Sequence, residues 1–277
     1  MAAATAALLA GPGRTVTTAY VNDLFIFLDG AHRVASGQVP NRDFHTALGP
    51  LVYYIPAVGL LLSGHLGGAM PVGIAVFLLL AAPVVAHVLT SRLTPVIALP
   101  LAAFLLLIAA APVNLGEGVT SLSFAMFYNR LGWVLLATLL VMALPPKRPA
   151  PRQLWPDALS AAFLVGAMLY LKISYGLVGL AFLAILLTAP AQRALAALSL
   201  IVTAAAILIV EAVWGSSAAH LADIALAGQV SGGLRSLEDV TTALLRHLGD
   251  YTLFALVAGL AVRRTRSMRD VVLYAFC

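Results

Sequence analysis

The sequence predicts an all-α protein, a polytopic bundle of transmembrane helices, and three observations carry that expectation. Of 277 residues, 62% are hydrophobic and only 10% charged, with a mean hydropathy of +1.00, whereas soluble domains carry about a quarter charged residues. The apolar residues come in runs of roughly 15 to 22, separated by short polar breaks, which is the length a helix needs to cross a hydrocarbon core about 30 Å thick. The runs are continuous, which excludes a β-barrel built from alternating strands of about ten residues.

The elements follow in order. Ala2–Ala10 is apolar but is broken by Gly11, Pro12, Gly13 and Arg14, so it makes a poor span and a poor signal peptide. Residues 22–66 read as an external loop carrying interfacial helices. Its second half, Leu48 to Leu66, is apolar but interrupted by Gly49, Pro50, Pro56 and Gly59, with Tyr53 and Tyr54 near its start. About seven spans then occupy residues 70–262: Met70 to Thr90, Pro95 to Val113, Asn129 to Leu144, Asp157 to Lys172, Tyr175 to Ala189, Ala194 to Trp214 and Tyr251 to Val262.

Residues 215–250 form a long loop in which Ser236 and Asp239 make a capping signal. Leu237, Val240, Leu244 and Leu248 recur there at helical spacing. This predicts an amphipathic helix that packs as a lid on its own protein. The last residues, Asp270 to Cys277, begin an apolar run that stops after about two turns. The expectation is one integral-membrane domain, 1–277, incomplete at both ends.

Basic residues set the orientation. Arg92, then Lys147, Arg148 and Arg152, then Arg193, then Arg263, Arg264, Arg266 and Arg269 all fall on one side when the seven spans are crossed in turn. The positive-inside rule makes that side cytoplasmic. Residues 114–128, the turn near Ser174 and residues 215–250 are then external, with Trp133 and Trp214 at the outer interface and Trp155 at the inner one. If Leu48 to Leu66 spans as well, the polar stretch before it is cytoplasmic. If it lies in the interface or re-enters, that stretch is external, and its prolines, glycines and tyrosines favour this second alternative. The net charge of +5 is thereby a property of the loops, and a nucleic-acid partner is excluded. The single Cys277 permits no internal disulfide and no zinc-type spacing with a histidine.

Chemistry concentrates between Asn22 and Tyr54. Three of the 11 acids, Asp23, Asp29 and Asp43, stand there with His32, His45, Arg33 and Arg42, and charges near a membrane are costly enough to mark function. Each has a structural alternative: Asp29 pairs with Arg33 four residues on, Asp23 caps the helix that follows, and Asp43 pairs with Arg42 or caps a turn after Pro40. The histidine spacing gives no metal-ligand motif, so neither a metal nor a cofactor is expected. Lys172, Arg130 and Glu211 sit at external helix ends, where Lys172 either pairs with Glu211 or, like Arg130, meets an anionic lipid group. Glu117 reads as an exposed loop acid.

Several of these residues recur in a recognisable order. Asp29-Gly30-Ala31-His32-Arg33, Ser36-Gly37-Gln38-Val39-Pro40, Arg42-Asp43-Phe44 and Leu48-Gly49-Pro50-Leu51, followed by Tyr53 and Tyr54, resemble the first external loop of bacterial GT-C glycosyltransferases. These are polytopic enzymes of the protein-mannosyltransferase and aminoarabinose-transferase type. The segments 128–133 (YNRLGW) and 171–176 (LKISYG) are similar to stretches of membrane proteins grouped with that family. The resemblance covers the first half of the chain, and the remainder only by architecture. It departs from the family at Gly30, which follows Asp29 where the family carries a second acid.

The resemblance implies a helical bundle whose first external loop bears surface-lying helices. It implies a sugar donor linked to a polyprenyl phosphate, and a lipid, glycan or protein acceptor, in a multi-pass protein of the bacterial inner membrane. By motif position Asp29 is the carboxylate that deprotonates or orients the acceptor hydroxyl, with Asp23 and Asp43 the other candidates. Such a transfer needs a base at the attacking hydroxyl and cations at the departing phosphate, and Lys172, Arg130 and Arg33 are the candidates for the second task. The alternative is a transporter or flippase of a lipid-linked intermediate. That function predicts midplane charges and inverted repeats, neither of which the sequence displays.

Overall fold

In the computed structural model the described residues, 1–114, 117–118, 120–148, 151–230, 237–263 and 271–272, contain helices and no strands. Ser236, Arg264, Arg266, Arg269, Asp270 and Cys277, named above, lie outside them. The α-helices in chain order are α1 (Ala2–Ala10), α2 (Val21–Ala35), α3 (Leu51–Ser63), α4 (Leu66–Arg92), α5 (Pro95–Ala110) and α6 (Phe127–Val141). They continue with α7 (Leu154–Leu171), α8 (Ile173–Leu187), α9 (Arg193–Trp214), α10 (Ser217–Val230), α11 (Leu237–Arg246) and α12 (Leu248–Arg263).

Each of the seven segments read as a span is helical. Three helices, α4, α7 and α9, are both long and apolar enough to cross a membrane, while α5, α6, α8 and the apolar part of α12 are shorter. Helix α9 leaves Ile201, Leu208, Ile209 and Val213 exposed. An apolar helix in that state needs an apolar surrounding.

Glycine decides how the helices meet. Helix α3 folds back on α4 through Gly64, whose φ of +74 suits a residue without a side chain. His65 caps α4 by accepting the Gly68 N–H at 3.1 Å. A side-chain carbon on Gly59 would lie 2.0 Å from the Ala69 carbonyl oxygen, and one on Gly73 would lie 2.1 Å from that of Ile55. The segment Leu48 to Leu66 is thus a 13-residue helix laid antiparallel along the first turns of α4, too short at about 20 Å to span alone. Helices α7 and α8 form a second antiparallel hairpin whose only connecting residue is Lys172, in extended backbone at φ −158 and ψ 118. There Gly176 faces Leu169, and Gly179 faces Met168 and Val165.

The two ends of the bundle differ in chemistry. At one end Arg92, on α4, gives both terminal nitrogens to Asp157, on α7, at 3.1 and 2.8 Å, and His87 Nε2 meets the same carboxylate at 2.7 Å. Lys147 donates from its backbone N–H to Ser91 and from Nζ to the Leu93 carbonyl, and Gln192 Nε2 donates to the Ala143 carbonyl. The basic loops after α4, α6 and α8 therefore share one end. The opposite end gathers the first loop, the start of α6, the α7–α8 break and α10.

Candidate functional site

The site at that opposite end begins with Arg130, one turn into α6. The preceding loop folds back on itself, with Val113 bridged to Leu122 and the Ser123 N–H donating to the Pro112 carbonyl at 2.6 Å. Thr18 and Ala19, ahead of α2, strap onto this loop by donating their N–H groups to Leu122. The fold-back presents the carbonyls of Val113 and Ser123 to Arg130 Nη1, at 3.3 and 3.2 Å. Arg130 is 1% exposed, yet among the described residues its Nε and Nη2 have no partner, and neither has the buried Oδ1 of Asn114.

Lys172 faces the same space. Its Nζ donates to Asn129 Oδ1 at 3.3 Å and lies 5.6 Å from the centre of the Tyr128 ring, and Tyr175 OH reaches Asn129 Oδ1 at 3.5 Å. Gly132 allows this, because any side chain there would meet the Tyr175 ring at 2.7 Å. Arg130, Lys172, Asn129, Asn114, Tyr175, Trp133 and Met126 line a cavity of about 290 Å³. Among the described residues no carboxylate lies within ion-pair distance of either cation. Glu211 does not pair with Lys172; it accepts the N–H of Ser217 at 3.2 Å and that residue's hydroxyl, closing the turn into α10.

The three first-loop acids separate. Helix α2 buries Leu24, Phe27, Gly30 and Ala31, and its phenylalanine touches the rings of Tyr53, Phe127 and Tyr128. Asp23, half-buried in the first turn, lies within electrostatic reach of Tyr128 and Tyr20, and no hydrogen bond or ion pair engages it among the described residues. Asp29 projects from the exposed side with Phe25 and Ile26. Its carboxylate is held at 2.7 Å by Arg33 Nε, and the guanidinium in turn stands 5.7 Å from the Phe44 ring centre. Arg33 and Asp29 therefore satisfy one another instead of joining Arg130 and Lys172. Asp43 accepts the Val39 N–H at 2.7 Å and pairs with Arg42 at 3.3 Å. The Val39 amide, then Arg42, hold its carboxyl below the ordinary range. It is a turn cap.

Gly30 has a steric reason to lack the second acid, since a side-chain carbon there would sit 2.1 Å from the Tyr53 ring. Glu117 accepts from Tyr20 OH at 2.5 Å, a bond that lowers the carboxyl's pKa and raises the phenol's.

A second polar cluster was not legible in the sequence. Asp223 on α10, 8% exposed, receives Asn41 Nδ2 at 2.8 Å, the Thr46 N–H at 3.1 Å and His45 Nδ1 at 2.7 Å. Burial alone raises a carboxyl, but these hydrogen bonds outweigh it and leave Asp223 below its ordinary range. His220, one turn earlier and 6% exposed, makes no well-formed hydrogen bond from either ring nitrogen among the described residues, though Asp223 and the Thr46 backbone are within its electrostatic reach, and it lies 6.0 Å from the Trp214 ring. The Trp214 indole N–H donates to the Pro40 carbonyl at 3.1 Å, and the Gly49 N–H to the Leu171 carbonyl at 3.1 Å. The first loop is thus tied to α7, α9 and α10. A lone acid and a histidine in an alanine-rich stretch were the only signal for this contact.

No family model, curated protein or solved structure matches the chain. The likeness to GT-C enzymes accordingly rests on the sequence motifs alone.

Proposed function

We propose that the protein is a multi-pass glycosyltransferase of GT-C type in a bacterial inner membrane. It moves a sugar from a polyprenyl-phosphate donor to a lipid, glycan or protein acceptor at the external face. Arg130 carries this proposal: a buried guanidinium that has, among the described residues, two unpartnered nitrogens and no carboxylate, in a cavity shared with Lys172. Such a cation is costly to bury uncompensated. A phosphate group supplies the missing acceptors, and its charge is largest when it departs as the free polyprenyl phosphate. Asn129 holds Lys172 toward the phosphate, and the exposed Trp133 gives the start of the isoprenoid chain an apolar wall.

Asp23 is the first-loop acid whose surroundings suit catalysis, because among the described residues it is unpaired and it lies within electrostatic reach of Tyr128. A carboxylate next to the bound phosphate also lies next to the anomeric carbon, whose positive charge grows as the bond to phosphate breaks. Asp29, engaged by Arg33, is left a structural role on the outer side of α2.

The test is transfer of tritiated mannose or glucose from polyprenyl phosphate into glycoconjugates, in membranes containing the full chain. Arg130→Met and Lys172→Met should each lose donor binding, and Asp23→Asn should lose about 10²-fold in transfer with donor still bound. Asp29→Asn should retain most activity. Donor that is bound and moved across the bilayer without transfer would replace this function by the flippase.

A further inference from the structure

We propose that His45, held by Asp223, is the general base that takes the proton of the acceptor hydroxyl. The proposal rests on the glycosyl-transfer function above and supplies its acceptor side. The Asp223 side chain is 7% exposed and that of His45 is 89% exposed, so the carboxylate stands inside and the imidazole outside. The 2.7 Å bond between them makes Nδ1 the protonated nitrogen, since a carboxylate only accepts, and leaves the Nε2 lone pair at the surface. Asn41 and the Thr46 N–H fix the carboxylate from two further directions. Those two bonds suffice to tether the loop to α10. The third partner, an exposed imidazole, adds little to a tether and is what a proton acceptor requires.

A relay of contacts runs from the loop that carries the dyad to Lys172. Thr46 Oγ1 meets Tyr53 OH at 2.7 Å, Phe27 lies 6.5 Å from the Tyr53 ring and 6.0 Å from that of Tyr128, and Lys172 stands over Tyr128. Gly49, bonded to Leu171, is seated next to Lys172, and the four residues from His45 to Gly49 reach at most about 14 Å. The proposal sets the acceptor oxygen between His45 and the anomeric carbon of a sugar whose phosphate occupies the Arg130 cavity.

As the acceptor oxygen bonds to the anomeric carbon, its proton passes to His45 Nε2. The bond from that carbon to the phosphate oxygen breaks, and its electron pair leaves on the polyprenyl phosphate, against Arg130 and Lys172. The imidazolium then loses its proton to water. Sugar configuration inverts, and no co-reactant is consumed.

The experiment uses full-length protein in membranes, with polyprenyl-phosphate-linked tritiated mannose and glucose as donors. His45→Gln should lower transfer by about 10²-fold or more while donor binding stays unchanged. Asp223→Asn, a positioning change, should lower kcat and leave the donor KM in place. His45→Gly should recover transfer on addition of free imidazole, which a purely structural histidine would not allow. Transfer by His45→Gln at the wild-type rate, or a folded, donor-binding His45→Gly that imidazole does not rescue, overturns the dyad and leaves the glycosyltransferase standing. Absence of transfer by the wild type overturns both.

Discussion

Asp157 grips Arg92 at two points, 3.1 and 2.8 Å, with the arginine side chain wholly buried and that of the aspartate 4% exposed. The pair joins the last turn of α4 to the first turn of α7 across 65 residues of sequence. Truncating one partner strands a buried charge, so Asp157→Ala should lower stability by about 3–5 kcal/mol, read as thermal unfolding in detergent. The double change Arg92→Met with Asp157→Leu should recover most of that loss. If Asp157→Ala unfolds like the wild type, the pair is not the clasp of this end.

Arg130 should behave in the opposite way. Its unmade hydrogen bonds destabilise the empty protein, so Arg130→Met should raise the unfolding temperature, by the equivalent of about 1–3 kcal/mol. Polyprenyl phosphate at about 100 times its Kd should stabilise the wild type by about 2.7 kcal/mol and leave the variant unmoved. A wild type indifferent to the phosphate lipid would dismiss the anion site.

Gly30 gives a steric test. The Tyr53 ring stands 2.1 Å from where its side chain would begin, so Gly30→Ala should cost about 1–3 kcal/mol by overpacking. Combining it with Tyr53→Leu should restore part of the loss. Additive effects of the two changes would mean that α2 and α3 do not touch there.

Acid should loosen the first loop from α10 in two stages. Burial pushes the His220 imidazole below its ordinary value, against the pull of Asp223 and the Thr46 backbone. The unfolded chain therefore takes up that proton first as pH falls. Stability is complete above about pH 6.5 and declines below it, through the lower folded value. Asp223 is held below its ordinary range, so its contribution persists above about pH 3.9 and is lost only beneath that. Hydrogen exchange of residues 40–49 should accelerate as pH falls below about 6.5, beyond its intrinsic dependence, and His220→Phe should abolish the excess. An equal excess in the variant would assign the effect to another group.

The helices were legible in the sequence because apolar runs and polar breaks mark where a chain can hide its backbone from an apolar medium. Rotation about a helix axis was harder to read. Asp23 and Asp29 share α2, and only the burial of Phe27 and Gly30 against Tyr53 shows that one acid turns toward Tyr128 and the other outward. Arg130 and Lys172 were identifiable as charges at helix ends, but their sharing of a cavity depends on the fold-back that brings Val113 to Leu122 and Pro112 to Ser123. Asp223 was out of reach for a different reason. Its partners lie 177 to 182 residues away, and hydrogen bonds at such separation leave no periodicity to detect.

The α7–α8 hairpin turns on one extended residue, and that residue is the cation. Lys172 therefore has no backbone slack: its side chain can swing toward an anion, but any shift of its Cα tilts one helix against the other. An anion that moves this backbone acts on a lever some 15 residues long, and the far end of α8, at the end of the bundle that holds Arg92 and Lys147, is where that lever moves most. Spin labels at Leu154 and Leu187 should report a change in separation when polyprenyl phosphate is added, so that binding at one end of the bundle would be read from the other.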